Sequence, residues 1–334
     1  MDKILNWGFL STARINRALM KPLRASKQTR LLAVASRNIS SAQAYAHENK
    51  IPKAHGSYED LLNDPEIDVV YNSLPNHLHA EWTIKALRAG KHVLCEKPLA
   101  LTLDEVDAMI SASKETGKVL AEAFMYRHHA QTLKAKEIVD SGELGKIQLI
   151  KGAFSFKMMR ENDYRNYKEM GGGSIWDVGC YPISFARMVV GEEPVEVFGW
   201  QVTGVALSES KGQGGSDDSF FGQMKFRNEI YAQFDSGFKS PLRTYIEIVG
   251  SEGVLNIPLP FKPGVKNEIV LTRGDTMRKI KIKGQELYLG EVEDMCNAIL
   301  HNQPPRISLA DSRGNIAAIL AFLDSSQSGK PAQI

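Results

Sequence analysis

Short apolar runs alternate with helix-like segments between residues 4 and 123, and this alternation limits the possible folds more than any other feature. The runs have the length of strands: Ile4–Leu10, Leu31–Ala35, Val69–Leu74, His92–Cys95 and Val119–Ala123. The segments between them have the apolar spacing of helices: Ala13–Leu23, Ser40–Asn49, His77–Ala89 and Leu103–Thr116. Strands that alternate with helices predict right-handed βαβ units around a buried parallel sheet.

Beyond Tyr126 the pattern changes to longer strands joined by short links. The strand candidates are Ile147–Phe156, Val195–Thr203, Ser219–Phe226, Ile230–Asp235, Tyr245–Val249, Gly253–Ile257, Ile269–Thr272 and Arg278–Lys283. Their alternation of apolar and polar residues predicts an α+β region with a large, open, mostly antiparallel sheet. Because 334 residues exceed the size of one growing core, we expect two domains, 1–124 and 125–334. The helical segment 309–325 is a candidate to return to the first domain.

Composition excludes several classes of partner. A formal net charge of +2 gives no field that would favour nucleic acid or an anionic membrane. No segment has the apolar length of a signal peptide core or of a membrane span. Cys95, Cys180 and Cys296 lie far apart without a CxxC pair, so we expect free thiols, no metal site and a cytoplasmic protein.

The first strand-to-helix junction, Trp7–Asn16, is where a dinucleotide pyrophosphate would meet a helix N-terminus. Against the motif GxGxxG, however, Ser11, Ala13 and Asn16 replace all three glycines. Small residues at the first two positions still allow the backbone to approach a phosphate. A tight turn without a ligand is the alternative. The candidate cofactor contacts are Leu10, Ser11, Thr12, Ala13, Arg14 and Ile15.

The end of the second strand bears on the choice of cofactor. NAD-binding domains usually place a carboxylate there for the ribose 2′-hydroxyl, whereas this chain has Ser36 and Arg37. A hydroxyl followed by a guanidinium suits a 2′-phosphate, which a carboxylate would repel. We therefore favour NADP over NAD, although an exposed arginine at the start of a loop would look the same.

Leu74, Pro75 and Asn76 follow another apolar run, again at the carboxyl end of a predicted strand. Asn76 is either a cofactor contact or the cap of the next helix. His79, inside that helix, faces either the cofactor or solvent.

Lys97 and Tyr181 form the candidate catalytic pair. Lys97 follows the end of a predicted strand, and Tyr181 lies on a predicted helix that three glycines, residues 171–173, precede. A free phenol has a pKa of about 10, and a neighbouring ammonium favours its phenolate. The pair could thus exchange the proton of a substrate hydroxyl, with either residue as the acid. Asp177, one helical turn before Tyr181, would hold a substrate hydroxyl, pair with an arginine or stabilise the helix start.

Three further residues are of interest for the same candidate site. Pro98 is a candidate for a cis peptide, which would direct Lys97 into a cleft. Arg127 is a candidate near the cofactor, and Arg165 is a candidate for the substrate loop. A structural or surface role accounts equally well for either arginine.

In combination these motifs resemble the glucose–fructose oxidoreductase / inositol dehydrogenase / rhizopine-catabolism (Gfo/Idh/MocA) family. The matching segments are Trp7–Asn16, Ser36-Arg37, Leu74–His79, Glu96-Lys97-Pro98, Glu122–Arg127, Gly142–Ile147 and Gly171–Tyr181. Tyr181, where many members have histidine, resembles the branch with dimeric dihydrodiol dehydrogenase, NADP-dependent xylose dehydrogenase and glucose–fructose oxidoreductase. The glycine-poor first turn departs from the family pattern.

The resemblance implies a Rossmann domain, an open sheet used to form a homodimer, and a sugar, polyol or cyclic diol as substrate. The candidate cofactor contacts also include Glu96 and Lys97, and the candidate substrate contacts are Lys97, Arg165, Asp177 and Tyr181. A nucleotide- or sugar-sensing regulator on the same fold is the alternative, but a sensor needs neither Lys97 nor Tyr181. A third reading is sugar–sugar redox with a tightly held cofactor.

Overall fold

The computed structural model describes residues 3–160, 163–203 and 215–334, and the chain forms two units. The first unit runs to His128 and also contains Tyr288–Arg313, and the second contains His129–Leu287 and Gly314–Ile334. The segment 288–313 therefore lies in the first unit, whereas the boundary expected at residue 124 places it in the second. Among the described residues, no helix is long and apolar enough to span a membrane.

The first unit is built on a six-stranded parallel sheet in the order β3-β2-β1-β4-β5-β6. Its strands are β1 (Leu5–Phe9), β2 (Thr29–Ala35), β3 (Lys53–His55), β4 (Val69–Asn72), β5 (His92–Glu96) and β6 (Leu120–Ala123). The helices between them are α1 (Asn16–Ala25), α2 (Ile39–Glu48), α3 (Tyr58–Asn63), α4 (His79–Arg88) and α5 (Leu103–Thr116). The predicted parallel α/β architecture is confirmed, and the strand order reverses between β1 and β4.

Helix α5 shows how local sequence fixes an element. The Thr102 hydroxyl accepts from the Glu105 amide, and the Glu105 carboxylate accepts from the Thr102 amide, which is a capping box. At the other end Gly117 has a φ of 65°, the left-handed conformation that glycine adopts at helix ends. Both ends therefore follow from residues that the sequence displays.

The second unit contains a nine-stranded sheet in the order β14-β13-β12-β11-β7-β10-β9-β8-β15. Its strands are β7 (Ile147–Ser155), β8 (Glu196–Thr203), β9 (Asp217–Lys225), β10 (Tyr231–Gly237), β11 (Arg243–Gly250), β12 (Val254–Ile257), β13 (Lys266–Arg273), β14 (Thr276–Lys283) and β15 (Ala332–Gln333). Among the described strands of this sheet, only β7 and β10 pair in parallel, so the predicted mostly antiparallel sheet is confirmed.

Two helices of the second unit, α6 (Ala130–Asp140) and α7 (Cys180–Val190), accompany this sheet. Helix α7 contacts β7 and β10 and is buried along nearly its whole length. Phe185, on α7, packs edge-on against Phe261. Because α7 covers one face of the sheet, the side chains that alternate to the opposite face stay exposed, Phe221 among them.

The chain ends with α8 (Leu289–His301) and α9 (Leu309–Ser328). Helix α8 completes the core of the first unit, where Val292, Met295 and Cys296 join the residues of β1. Helix α9 begins within the first unit, and its residues from Gly314 onwards belong to the second. The helical segment predicted at 309–325 thus contributes residues to both units.

Candidate active site

The turn after β1 lies where the strand order reverses, which is the usual ligand site of open α/β sheets. Leu10 donates its amide to the carbonyl of Tyr71 at 3.0 Å, so the ends of β1 and β4 stay adjacent. Helix α1 starts after Ile15, and no side chain caps its N-terminus. An uncapped helix N-terminus is a suitable place for a phosphate anion.

Polar contacts hold the turn that lacks the motif's glycines. The Ser11 hydroxyl accepts from the Ala13 amide at 3.0 Å and lies 2.9 Å from the hydroxyl of Ser73. Asn16 donates to the Ser11 carbonyl at 2.7 Å, and Ser73 donates to the Asn16 side chain at 2.6 Å. Asn16 is fully buried. A buried Ser–Ser–Asn network therefore shapes the turn, and the half-buried Thr12 and exposed Arg14 remain at its surface.

The end of β2 presents Ser36 and Arg37. The Ser36 amide donates to the carbonyl of His55 at 3.1 Å, which fixes the strand end, and Arg37 is exposed. Asn38 caps α2 by accepting from the amides of Ser40 and Ser41. Within the described ranges no carboxylate forms an ion pair with Arg37. The residues present therefore fit a ribose 2′-phosphate.

His79 lies deeper than a cofactor contact requires. Its side chain is fully buried, with Nδ1 2.8 Å from the Pro98 carbonyl and Nε2 2.8 Å from the Leu74 carbonyl. Burial lowers the pKa of His79 to about 4, so the ring is neutral at pH 7. A neutral ring carries one N–H, so His79 donates to one of these two carbonyls, and the tautomer decides which. Asn76 is also buried, and Pro75 is half-buried.

Glu96, Lys97 and Pro98 continue from the end of β5. The Lys97–Pro98 peptide is cis, as the sequence hypothesis proposed. The Tyr71 hydroxyl donates to the Glu96 carboxylate, while burial and the nearby carboxylates raise the Tyr71 pKa well above its ordinary value. Lys97 itself is half-buried.

Glu122, on the neighbouring strand β6, is a buried carboxyl for which the sequence predicted no role. It accepts from the Leu99 amide at 3.0 Å and is 2% exposed. Burial raises its pKa from 4.5 to about 7; the Ser312 hydroxyl and the Leu99 amide act in the opposite direction. Arg127 pairs with Asp311 at 2.9 Å in the same unit, which gives this arginine a structural partner.

Replacing Glu122 by glutamine is expected to change how stability depends on pH. A carboxyl whose pKa is raised on folding contributes most below pH 4.5, and that contribution is lost as pH rises to about 7. Glu122→Gln should therefore increase the free energy of unfolding at pH 8 by on the order of 2 kcal/mol and change it far less at pH 5. Urea unfolding at both pH values measures this, and equal differences at both would contradict it.

In the second unit Asp177 pairs with Arg165, one of the alternatives that its position allowed. The Arg165 Nε lies 2.7 Å from Asp177 Oδ2, and its Nη1 lies 3.0 Å from Asp163 Oδ1. These carboxylates raise the Arg165 pKa against the opposing effect of burial. The structure thus brings together two of the predicted substrate residues.

Tyr181 is the second residue of α7, which follows directly on a π-helical turn at Ile175–Gly179 that contains Asp177. The wider turn replaces the regular helix that the sequence suggested between these two residues, and π-turns occur frequently at functional sites. The Tyr181 ring is 5% exposed and packs against Phe154 and Phe261 at centroid distances of 5.2 and 5.3 Å. Aromatic packing therefore fixes the direction of the phenol.

Asp217 anchors the start of this helical segment. Its carboxylate accepts from the Ser174 hydroxyl at 2.5 Å and from the Ile175 amide at 3.0 Å. Burial raises the Asp217 pKa to about 6, and these hydrogen bonds act against the rise. Gly173 has a φ of 118°, and a Cβ there would overlap the Asp217 carboxylate. No short motif marks Asp217 in the sequence, because its contact lies more than forty residues away.

Taken separately, the two units are an open parallel α/β domain of the kind that binds nucleotides and a sheet domain that carries a buried tyrosine. The family model described as "Oxidoreductase family, NAD-binding Rossmann fold" matches residues 5–124, and the "GFO/IDH/MocA C-terminal domain" matches residues 132–256. The chain belongs to the GFO/IDH/MocA family of oxidoreductases, as the sequence motifs predicted.

The similar proteins cover three quarters or more of the chain. D-xylose 1-dehydrogenase (NADP(+)) 2 of Haloferax volcanii is 33% identical, over 98% of this chain and 99% of the relative. Trans-1,2-dihydrobenzene-1,2-diol dehydrogenase of Danio rerio is 34% identical, over 76% and 74%. A solved structure of KijD10, a 3-ketoreductase from Actinomadura kijaniata with NADP and TDP-benzene, has a TM-score of 0.89 at 26% identity, covering 97% of this chain and 98% of the other. The resemblance to the dihydrodiol and xylose dehydrogenase branch is confirmed.

Proposed function

We propose that the protein is an NADP-dependent oxidoreductase that interconverts a secondary alcohol and a carbonyl on a sugar, polyol or cyclic diol. The observation that carries the proposal is the first unit's nucleotide turn, whose uncapped helix start and carboxylate-free β2 end fit NADP. The NADP-dependent xylose dehydrogenase and the NADP complex of KijD10 support it. When bound, the nicotinamide supplies the hydride donor or acceptor.

We assign the proton chemistry to Lys97 and Tyr181. As a substrate hydroxyl becomes a carbonyl, its carbon loses a hydride and its oxygen loses a proton. The Tyr181 phenolate takes that proton and becomes the phenol, and the Lys97 ammonium favours the phenolate form beforehand. The proton returns by the same route in reduction. Because the two groups titrate together, the apparent pKa values belong to the pair.

We assign substrate orientation to Asp177 and Arg165. Their ion pair offers both hydrogen-bond donors and acceptors to the hydroxyls of a sugar or diol. The second contact, from Arg165 to Asp163, holds the guanidinium in one direction. A polar pair of fixed orientation suits a polyhydroxylated substrate better than an apolar one.

For the cofactor we assign the backbone of Leu10–Ile15 to the pyrophosphate and Ser36 with Arg37 to the 2′-phosphate. Leu74, Pro75, Asn76 and Glu96 complete the contacts around the nucleotide, and Lys97 contacts it as well. His79 supports the cofactor-binding backbone instead of touching the cofactor, because its two ring nitrogens face the carbonyls of Pro98 and Leu74.

Arg37→Ala should weaken NADP(H) binding by about 10- to 100-fold while changing NAD(H) binding by less than about threefold, because only the phosphorylated ribose meets the guanidinium. Fluorescence titration of the two reduced cofactors measures this. Arg30→Ala, at an exposed position of β2, is the control and should leave both affinities unchanged. Equal losses for both cofactors would contradict the 2′-phosphate assignment.

The substrate class is tested by incubating the purified protein with NADP⁺ or NADPH and a panel of aldoses, polyols, cyclic diols and ketosugars. Turnover, followed by nicotinamide absorbance, is expected with one group of polyhydroxylated compounds and absent with simple aliphatic alcohols. Tight sugar or nucleotide binding without turnover across the panel would favour a sensing role and contradict the proposal.

We further propose that the protein is a homodimer formed through the open face of its nine-stranded sheet. Trp200 and Phe221 are neighbours across β8 and β9 and are 53% and 46% exposed. With Tyr245 they border a shallow depression of about 250 Å³ whose other walls include Lys151 and Asp235. Exposed aromatic residues beside opposite charges suit a self-complementary interface.

The three buried, free thiols support the proposed cytoplasmic location.

Trp200→Arg with Phe221→Arg should convert the dimer to a monomer, because charges would replace the apolar centre of the interface. Sedimentation velocity measures the mass. Met277→Arg, at an exposed position on β14, provides the matched control and should remain dimeric. A wild-type monomer, or a dimer in the double variant, would contradict the proposed interface.

A further inference from the structure

The backbone on the C-terminal side of Lys97 is held at two successive residues by buried side chains. The Pro98 carbonyl lies 2.8 Å from His79 Nδ1, and the Leu99 amide donates to Glu122 at 3.0 Å. These contacts come from different parts of the first unit, since His79 begins α4 and Glu122 lies in β6. Two independent elements thus fix the chain immediately after the proposed catalytic lysine.

Both side chains are buried to a degree unusual for their residue types. His79 is fully buried and Glu122 is 2% exposed. Burial of an imidazole or a carboxyl is unfavourable unless hydrogen bonds compensate for the lost hydration. In each case a compensating contact is made to the backbone of Pro98 or Leu99. The placement of these two polar groups is therefore linked to the conformation of this segment.

We infer that His79 and Glu122 are positioning residues that fix Lys97 for proton transfer. The inference rests on the proposed function, in which the Lys97 ammonium must stay beside a phenol. Lysine has a long, flexible side chain, so the precision of its amine depends on how firmly its backbone is held. In the tautomer with its proton on Nδ1, His79 donates to the Pro98 carbonyl, and Glu122 accepts from the Leu99 amide. Neither residue needs to touch the substrate.

The first test compares Glu122→Leu with Glu122→Gln. Glutamine keeps a carbonyl oxygen that accepts from Leu99, whereas leucine fills similar space without an acceptor. Glu122→Leu should lower kcat at least tenfold and move the midpoint of its pH profile upward by about one unit, because a looser ammonium favours the phenolate less. Glu122→Gln should retain about half or more of the activity and the wild-type midpoint.

A second readout requires neither cofactor nor substrate. Hydrogen exchange of the Leu99 amide, followed by mass spectrometry of the free protein, should be slow in the wild type and in Glu122→Gln. In Glu122→Leu it should be at least tenfold faster. Asp107→Asn, which alters an exposed pair with Arg313, is the control and should change neither kcat nor this exchange.

The His79 contact is tested by a matched pair of amides. Asparagine places its amide near the position of Nδ1 and can donate to Pro98, whereas glutamine reaches towards the Nε2 position beside Leu74. His79→Asn should therefore keep severalfold more activity than His79→Gln. If Glu122→Leu does not fold, this comparison still tests the positioning role.

The possible results separate the inference from the proposed function. If Lys97→Met is inactive while Glu122→Leu and His79→Gln keep the wild-type kcat and pH midpoint, the positioning role is overturned and the proposed function stands. If Lys97→Met is as active as the wild type, the proposed function itself fails. Slow Leu99 exchange in Glu122→Leu would also overturn the inference.

Discussion

Replacing Lys97 by methionine, or Tyr181 by phenylalanine, is expected to lower kcat by about 10²- to 10⁴-fold, the range typical of a lost acid–base group. Each variant removes one member of the proton-transfer pair and keeps most of the side-chain volume. The affinity for NADP(H) should change by less than about threefold, because the pyrophosphate and 2′-phosphate contacts belong to other residues. Steady-state kinetics and cofactor titration on the same preparations measure both quantities.

Lys85→Met is the matched control for the lysine variant. Lys85 lies on the surface of α4, where it pairs with Glu81, and its replacement should leave kcat unchanged. Full activity in either Lys97→Met or Tyr181→Phe would contradict the assigned chemistry. A loss confined to cofactor affinity would instead show that the residue serves nucleotide binding alone.

Gly173→Ala is expected to have the second large effect, on both stability and activity. A φ of 118° is unfavourable for any residue with a Cβ, and the added methyl would meet the Asp217 carboxylate. That carboxylate holds Ser174 and the Ile175 amide at the start of the segment that leads to Tyr181. We expect a loss of about 2–4 kcal/mol in the free energy of unfolding and at least a tenfold loss of kcat.

Gly142→Ala separates the backbone effect from the contact with Asp217. Gly142 also has a positive φ, 77°, but a Cβ there would have open space. We expect a loss of only about 1 kcal/mol and an unchanged kcat. Urea unfolding and kinetics of both variants provide the measurement, and equal effects would contradict the proposed anchor.

Much of the fold could be predicted from local sequence, because the signals were local. Apolar runs marked five strands of the first sheet, and the residues of the capping box, Thr102 and Glu105, stand together in the sequence where α5 begins. The edge strand Lys53–His55 was not predicted, because its three residues are all half-buried and form no apolar run. The two-residue strand Ala332–Gln333 escaped because its pairing with β8 depends on tertiary structure.

Residues of the candidate site that lie in short sequence motifs could be predicted. Residues that support the site from distant positions in the chain could not. Lys97, Tyr181 and Asp177 stand in recognisable segments, and the cis peptide before Pro98 followed from the same motif. The supporting contacts of Asp217 had no such signal. The pairing of Arg165 with Asp177 was one of several alternatives, and only side-chain positions could select it.

The most direct test of the account is a double-mutant cycle on kcat with Lys97→Met, Tyr181→Phe and the combined variant. Two groups that act as one proton-transfer unit give strongly non-additive losses. The combined variant should therefore be no more than about threefold slower than the slower single variant. Losses that multiply would show that Lys97 and Tyr181 act independently, and would contradict the coupled pair.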